Sequence, residues 1–276
     1  MQTEGGIRVR TYGDAGPLVL VLHGGPAGIG DARGMALGLA DAFRVLEPWQ
    51  RGSGAEPLTV AQHVADLYKV IRSRCSSEKT ALVGHSWGAM LALAYAAVHP
   101  DSVGPLVLVG CGTFDAESRI RMKATRDERM TDDLQRQMDR LSEEITDPGE
   151  VLVRKYELCE RIDHYDPLPS GEPDLELPPF DMRAHTEIWQ DMIRLQEEGV
   201  YPSAFSLIRT PVIMLHGAYD PHPGQMIYSN LKQYIPQIEY HEWERCGHSP
   251  WNEKHIRDDF FSVLRQWLTQ QFSIRE

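Results

Sequence analysis

Cysteine is scarce in this chain of 276 residues: Cys75, Cys111, Cys159 and Cys246 stand far apart, with no Cys-x-x-Cys pair. A chain of this length needs no covalent staples, so the scattered thiols exclude a disulfide framework. They point to a reducing compartment, expected to be the cytoplasm. Positive charge is also short. Lys and Arg number 28 against 40 Asp and Glu, and the formal charge of −12 argues against nucleic acid or an anionic membrane as partner. Met1-Gln2-Thr3-Glu4 carries no basic segment, and the first apolar run spans only Leu18 to Leu22, too little for a secretory signal. Residues 80–100 are free of formal charge over a length that could span a bilayer, but Gly84, His85, Ser86 and Gly88 interrupt them.

Nucleotide and metal signatures are missing as well. Arg33 occupies the third glycine position after Gly28-x-Gly30, no lysine follows in Walker spacing, and His241-Glu242-Trp-Glu-Arg245 lacks the second histidine of a zinc protease helix. No metal is expected. The negative charge is unevenly placed. Residues 114–200 hold 23 acidic and 12 basic side chains, whereas the rest of the chain is close to neutral. The middle of the chain therefore reads as a separate structural unit.

What is present is an alternation of strand and helix. Leu18 to Leu22, Phe43 to Leu46, Thr80 to Val83 and Pro105 to Val109 are short apolar runs of the kind buried on both faces of a parallel sheet. Ile7 to Tyr12 alternates and predicts an edge strand. Val60, Val64, Leu67 and Ile71 share one helical face with Thr59 as N-cap, and Trp87 to Val98 predicts an apolar helix. The alternation then stops for a charged helical stretch from Glu117 to Ile145, helices over Gly149–Tyr165 and Met182–Glu198, and a proline-rich acidic loop over Asp166–Phe180. It resumes with strands at Pro211–Leu215 and Ile238–Trp243, a helix near Gln225–Gln233, and a last helix bearing Ile256, Phe260, Val263 and Trp267. This order predicts a doubly wound, mostly parallel α/β sheet with a helical insertion.

The chemistry starts at Gly84-His85-Ser86-Trp87-Gly88, between a predicted strand and a predicted helix. A serine on so sharp a turn needs small neighbours two residues away, and the helix behind it aims N–H groups at a developing oxyanion. Serine becomes a nucleophile only when a base takes its proton, and the base needs an orienting acid. His248, in the Gly-His turn between the last strand and the last helix, fits the base. Asp220, just past a strand, fits the acid, with Asp115 as its competitor. The oxyanion donors are expected to be the backbone N–H groups of Trp87 and of Gly25, with Gly24 beside it against the substrate.

Taken in order, His23-Gly-Gly-Pro26, Gln50-Arg-Gly-Ser-Gly54, Ser86-Trp-Gly88, Gly217-Ala-Tyr-Asp220 and Gly247-His248 resemble the α/β-hydrolase superfamily, and within it the proline iminopeptidase group. The resemblance implies a hydrolase core over residues 1–112 and 206–276, a helical cap over 113–205, hydrolysis through an acyl-enzyme, and no cofactor. The substrate it implies is a small molecule or short peptide cleaved at an N-terminal residue. A carboxylesterase or lactonase with the same triad is the alternative, and a non-catalytic receptor on the same scaffold is a third class. Epoxide hydrolase and dehalogenase readings are disfavoured because they require a carboxylate where Ser86 stands. Glu47 stands where the group usually has aspartate, and the cap lacks a Trp-x-x-Trp-Glu pattern, of which Trp189-Gln-Asp191 is a loose echo. Glu157, Glu160, Asp163, Glu187 and Asp191 are the cap acids expected to meet a substrate amine, and Trp189 is expected to touch the substrate.

Overall fold

The computed structural model describes residues 2–4, 6–74, 80–169, 174 and 176–274. Its elements are β1 (Gln2–Glu4), β2 (Ile7–Tyr12), β3 (Leu18–Leu22), α1 (Arg33–Leu39), β4 (Arg44–Pro48), α2 (Val60–Arg74), β5 (Thr80–His85), α3 (Trp87–Val98) and β6 (Val103–Val109). Four helices follow: α4 (Ala116–Arg129), α5 (Asp132–Glu144), α6 (Pro148–Asp163) and α7 (Met182–Glu197). Then come β7 (Val212–Gly217), α8 (Gly224–Lys232), β8 (Glu239–Trp243) and α9 (Arg257–Ser273). The strands form one sheet in the order β1-β2-β4-β3-β5-β6-β7-β8, parallel from β4 to β8 with β1 and β2 antiparallel.

The apolar runs are continuous because each strand feeds two cores. Leu18, Leu20 and Leu22 pack on one face with Leu82, Leu106 and Leu108. Val19 and Val21 pack on the other with Ala81, Val83, Val107 and Val109. Side chains alternate across a strand, so a strand covered on both faces must be apolar at every position. On one side α3 is buried at nearly every residue, and α2 lies against it with Val60, Val64, Leu67 and Ile71 inward. A reciprocal capping box starts α2: Gln62 N–H donates to Thr59 Oγ1 at 3.2 Å, and Thr59 N–H donates to Gln62 Oε1 at 2.8 Å. On the other side α9 turns Phe260, Phe261, Leu264, Trp267 and Leu268 to the sheet, leaving Ile256 and Val263 half-buried.

Several expectations are corrected. The strand Ile7–Tyr12 is not an edge, because β1 pairs outside it. Its alternation also breaks, with Arg10 buried and Thr11 exposed. Arg10 turns inward over the Trp49 ring to reach Asp174 and Glu176 of the acidic loop. A core strand thus supplies the cation that the loop itself lacks. The stretch from Glu117 to Ile145 is two helices, α5 starting afresh where Thr131 Oγ1 accepts the Leu134 N–H. The short helix α1 carries no side-chain cap and escapes a reading based on periodicity. Cys75 and residues 170–173 and 175 of the acidic loop lie outside the described residues, and Cys111, Cys159 and Cys246 are free thiols. Among the described residues no helix is long and apolar enough to cross a membrane.

A buried carboxylate joins the end of α6 to the turn that carries His248. Glu253 is 1% exposed; its Oε1 accepts the Gly247 N–H at 2.7 Å and the Tyr165 N–H at 2.8 Å, and its Oε2 accepts the Asp166 N–H at 2.8 Å. Removing it strands three amides, each worth about 1–3 kcal/mol when left unsatisfied in a buried setting. Glu253→Ala is expected to lower the calorimetric Tm by roughly 10 °C. Glu253→Gln, which keeps one carbonyl oxygen, is expected to lose less.

Candidate active site

Ser86 stands between β5 and α3 with φ +51° and ψ −114°, a conformation that ordinary side chains avoid. The strain is held by close backbone approach. A methyl group on Gly84 would lie 2.3 Å from the Gly88 carbonyl oxygen, and one on Gly88 would lie 2.3 Å from the Leu22 carbonyl oxygen. The Ser86 N–H donates to Val109 O at 2.8 Å, which fixes the turn to β6. Both glycines of the motif are therefore required by sterics.

Asp220 and His248 meet beneath this turn, from the loops after β7 and β8. His248 Nδ1 donates to Asp220 Oδ2 at 2.7 Å. A carboxylate only accepts, so the Nδ1 proton is fixed there and Nε2 is the basic nitrogen. Burial pushes the His248 imidazolium down to about 4 although Asp220 opposes it, so the ring is neutral at pH 7. The Asp220 side chain is wholly buried. Burial alone would push its carboxyl up, but His248, His222 and His216 around it hold it well below the usual carboxylate range. Asp115 is occupied elsewhere. It caps α4, accepting the Ser118 N–H at 2.7 Å and the Ser118 hydroxyl at 2.8 Å.

The loop expected to hold an oxyanion is braced from three sides. Gly24 N–H donates to Asp31 Oδ2 at 3.1 Å, which spends that amide. Gly25, with φ +116°, keeps an N–H without an acceptor among the described residues and lines the cavity beside Ser86. Trp87 opens α3, where the first N–H groups have no intrahelical acceptor. The indole N–H of Trp87 donates to Gln50 Oε1 at 2.7 Å, while Gln50 donates its own N–H to His23 Nε2 and its side-chain amide to His23 O, both at 3.2 Å. His23 Nδ1 then donates to Gly24 O at 2.9 Å. Burial keeps His23 neutral, as this tautomer requires.

A cavity of about 430 Å³ opens over Ser86 and His248. Of the residues expected from the cap, Glu157 and Glu160 line it. Glu157 pairs with Arg154 at 2.9 Å, whereas the Glu160 carboxylate has no partner among the described residues. Desolvation pushes the Glu160 carboxyl up, with Glu157, Asp163 and Asp31 adding to the effect against His164. Glu187, Trp189 and Asp191 are elsewhere. Glu187 accepts the Leu58 N–H at 2.9 Å and Asp191 the Val60 N–H at 2.8 Å, so both carboxylates serve the N-terminus of α2. Trp189 packs half-buried against the larger core.

Asp163, one of the expected acids, also lines the cavity, whereas Asp31, Arg126 and His222 escape sequence reasoning. Asp31 Oδ2 reaches His85 Nδ1 at 3.1 Å as well as Gly24, and Arg126 makes a two-pronged pair with Asp163 at 3.0 and 2.6 Å. His222 sits on the second oxygen of Asp220, Nδ1 to Oδ1 at 2.8 Å, and its only sequence signal is a position two residues past the acid. Asp220, His222 and His248 bring donor atoms within 4.8 Å of one another, the approach a cation would need. Both Nδ1 atoms are already bonded to the carboxylate, which satisfies the cluster by hydrogen bonds alone.

With this geometry established, likeness to known proteins follows. The α/β hydrolase fold family matches residues 17–251. A proline iminopeptidase of Neisseria gonorrhoeae is 39% identical over 99 residues, 33% of this chain and 32% of that protein, so the aligned part is about a third of its length. That of Lactobacillus helveticus is 23% identical over 92% of this chain and 90% of its own. Epoxide hydrolase B of Mycobacterium tuberculosis is 33% identical over 37% of this chain and 32% of its own. The crystal structure of VinJ superposes with a TM-score of 0.68 at 19% identity, over 97% of this chain and 96% of that one, a likeness of fold. The chain belongs to the α/β-hydrolase fold family, near the proline iminopeptidase group.

Proposed function

We propose that this chain is a serine hydrolase that works through an acyl-enzyme and removes an N-terminal residue from a small amide or short peptide. The observation that carries the reading is the Asp220–His248 bond of 2.7 Å in the cavity that Ser86 lines. Ser86 Oγ attacks the carbonyl carbon as His248 Nε2 takes its proton, and the Gly25 and Trp87 amides hold the oxygen as it gains charge. The C–N bond breaks as His248 passes the proton to the leaving nitrogen. Water then repeats the sequence on the ester and frees Ser86. Glu160 and Asp31, facing the cavity from cap and core, favour a substrate with a free ammonium group.

The esterase or lactonase reading keeps one specific support. A second cavity of about 570 Å³ shares Gly28, Val153 and Phe180 with the first, and its walls include Ile7, Ile29, Leu177 and Pro179. An apolar acyl group would fit there.

A fluorophosphonate is expected to label the native chain at Ser86 and not Ser86→Ala, which also loses roughly 10⁵-fold in kcat. Labelling of neither would favour the receptor class. Amino-acid p-nitroanilides should be cleaved and their N-acetylated counterparts spared; turnover of p-nitrophenyl esters alone would sink the aminopeptidase reading. The base must be unprotonated to act, so activity is lost as pH falls through the His248 value of about 4. Initial rates on an uncharged ester should hold level from pH 7 to about pH 5. An acid limb centred near the ordinary histidine value, about 6.5, would contradict this.

A further inference from the structure

Asp220 carries two imidazoles. His248 Nδ1 lies 2.7 Å from Oδ2, and His222 Nδ1 lies 2.8 Å from Oδ1. The His222 backbone is pinned as well: its N–H donates to Asp220 Oδ1 at 2.9 Å, and its carbonyl accepts from His216 Nε2 at 2.9 Å. The two rings stack with centroids 4.6 Å apart and planes 16° from parallel. Each ring turns Nδ1 to the carboxylate, so each turns Nε2 away from it. In the reading above, His248 Nε2 serves Ser86. His222 Nε2 has no partner among the described residues, and His222 lines the same cavity.

Amide cleavage needs something that ester cleavage does not. To be protonated, the leaving nitrogen of the tetrahedral intermediate must turn its lone pair toward the His248 proton, and its own hydrogen must then point elsewhere. In a site closed to water an N–H without an acceptor is destabilised. An ester oxygen offers lone pairs and has no hydrogen to place. A nitrogen about 3 Å from both Nε2 atoms would direct its lone pair at one and its N–H at the other.

We propose that His222 is a catalytic residue for amides: its Nε2 accepts the hydrogen of the scissile nitrogen while His248 protonates that nitrogen. The inference rests on the serine hydrolase reading above and makes it narrower. The Ser86–carbon bond forms, the carbon–nitrogen bond breaks, and the Ser86 proton ends on the nitrogen through His248. His222 neither gains nor loses a proton. The substrate class is amides whose scissile nitrogen bears a hydrogen, such as the bond after the first residue of a peptide.

The test compares the p-nitroanilide and the methyl ester of one amino acid on His222→Phe, which keeps a ring against His248, and on His222→Ala. Fluorophosphonate labelling rate is the third readout. The amide kcat/KM is expected to fall on the order of 100-fold, at least about tenfold more than the ester kcat/KM and the labelling rate, which fall together as Asp220 loses one ring donor. Equal losses on amide and ester with slower labelling would make His222 a mere support of Asp220 and overturn the proposal. Unchanged amide turnover would overturn it too. A wild-type chain that turns over the ester and no amide would overturn the amide reading of the whole site, a result seen before any variant is made.

Discussion

A charged carboxylate has to be held where no water reaches it, and the reactive end of the molecule is arranged around that requirement. Asp220 gains its place from donors rather than from solvent: His248 and the ring and amide of His222. Such a buried ion is tolerable only when its lone pairs are filled, and each filling group is thereby oriented. The His248 tautomer, the ring stack and the course of the loop after β7 follow from the same charge.

The motifs legible in the sequence are legible because they touch. His23, Gln50 and Trp87 are distant along the chain, yet one hydrogen-bonded run joins them: indole to Gln50, Gln50 to His23, His23 to the Gly24 carbonyl. The parallel sheet was readable from its apolar runs, since burial on both faces removes polar residues from every position. Ser86, Asp220 and His248 were readable because a strand-to-turn junction is a local event with local residue demands. Asp220 was separable from Asp115 only in three dimensions, where Asp115 proves to be a helix cap.

The cap was less legible. Glu160 and Glu187 look alike on a charged helix, and what separates them is a partner more than a hundred residues away: Leu58 accommodates Glu187, and among the described residues nothing comparable engages Glu160. Arg10 shows the same gap from the other side. Its place in an alternating strand assigns it to solvent, whereas Asp174 and Glu176 draw it inward. Part of the negative charge of the insertion is consumed in this way, and part in the caps Asp115, Asp147 and Asp181. Net charge over the segment therefore overstates what a substrate would meet.

The His248 turn hangs from the helical insertion. The His248 N–H donates to the Asp163 carbonyl at 2.9 Å, at the last residue of α6, and Glu253 clasps Tyr165 and Asp166 to Gly247. A rotation of the helical insertion at this corner would carry the imidazole off its carboxylate. Phe180 and Gly28 line both cavities, and neither takes part in this clasp. The α6 corner behaves as a fixed jamb.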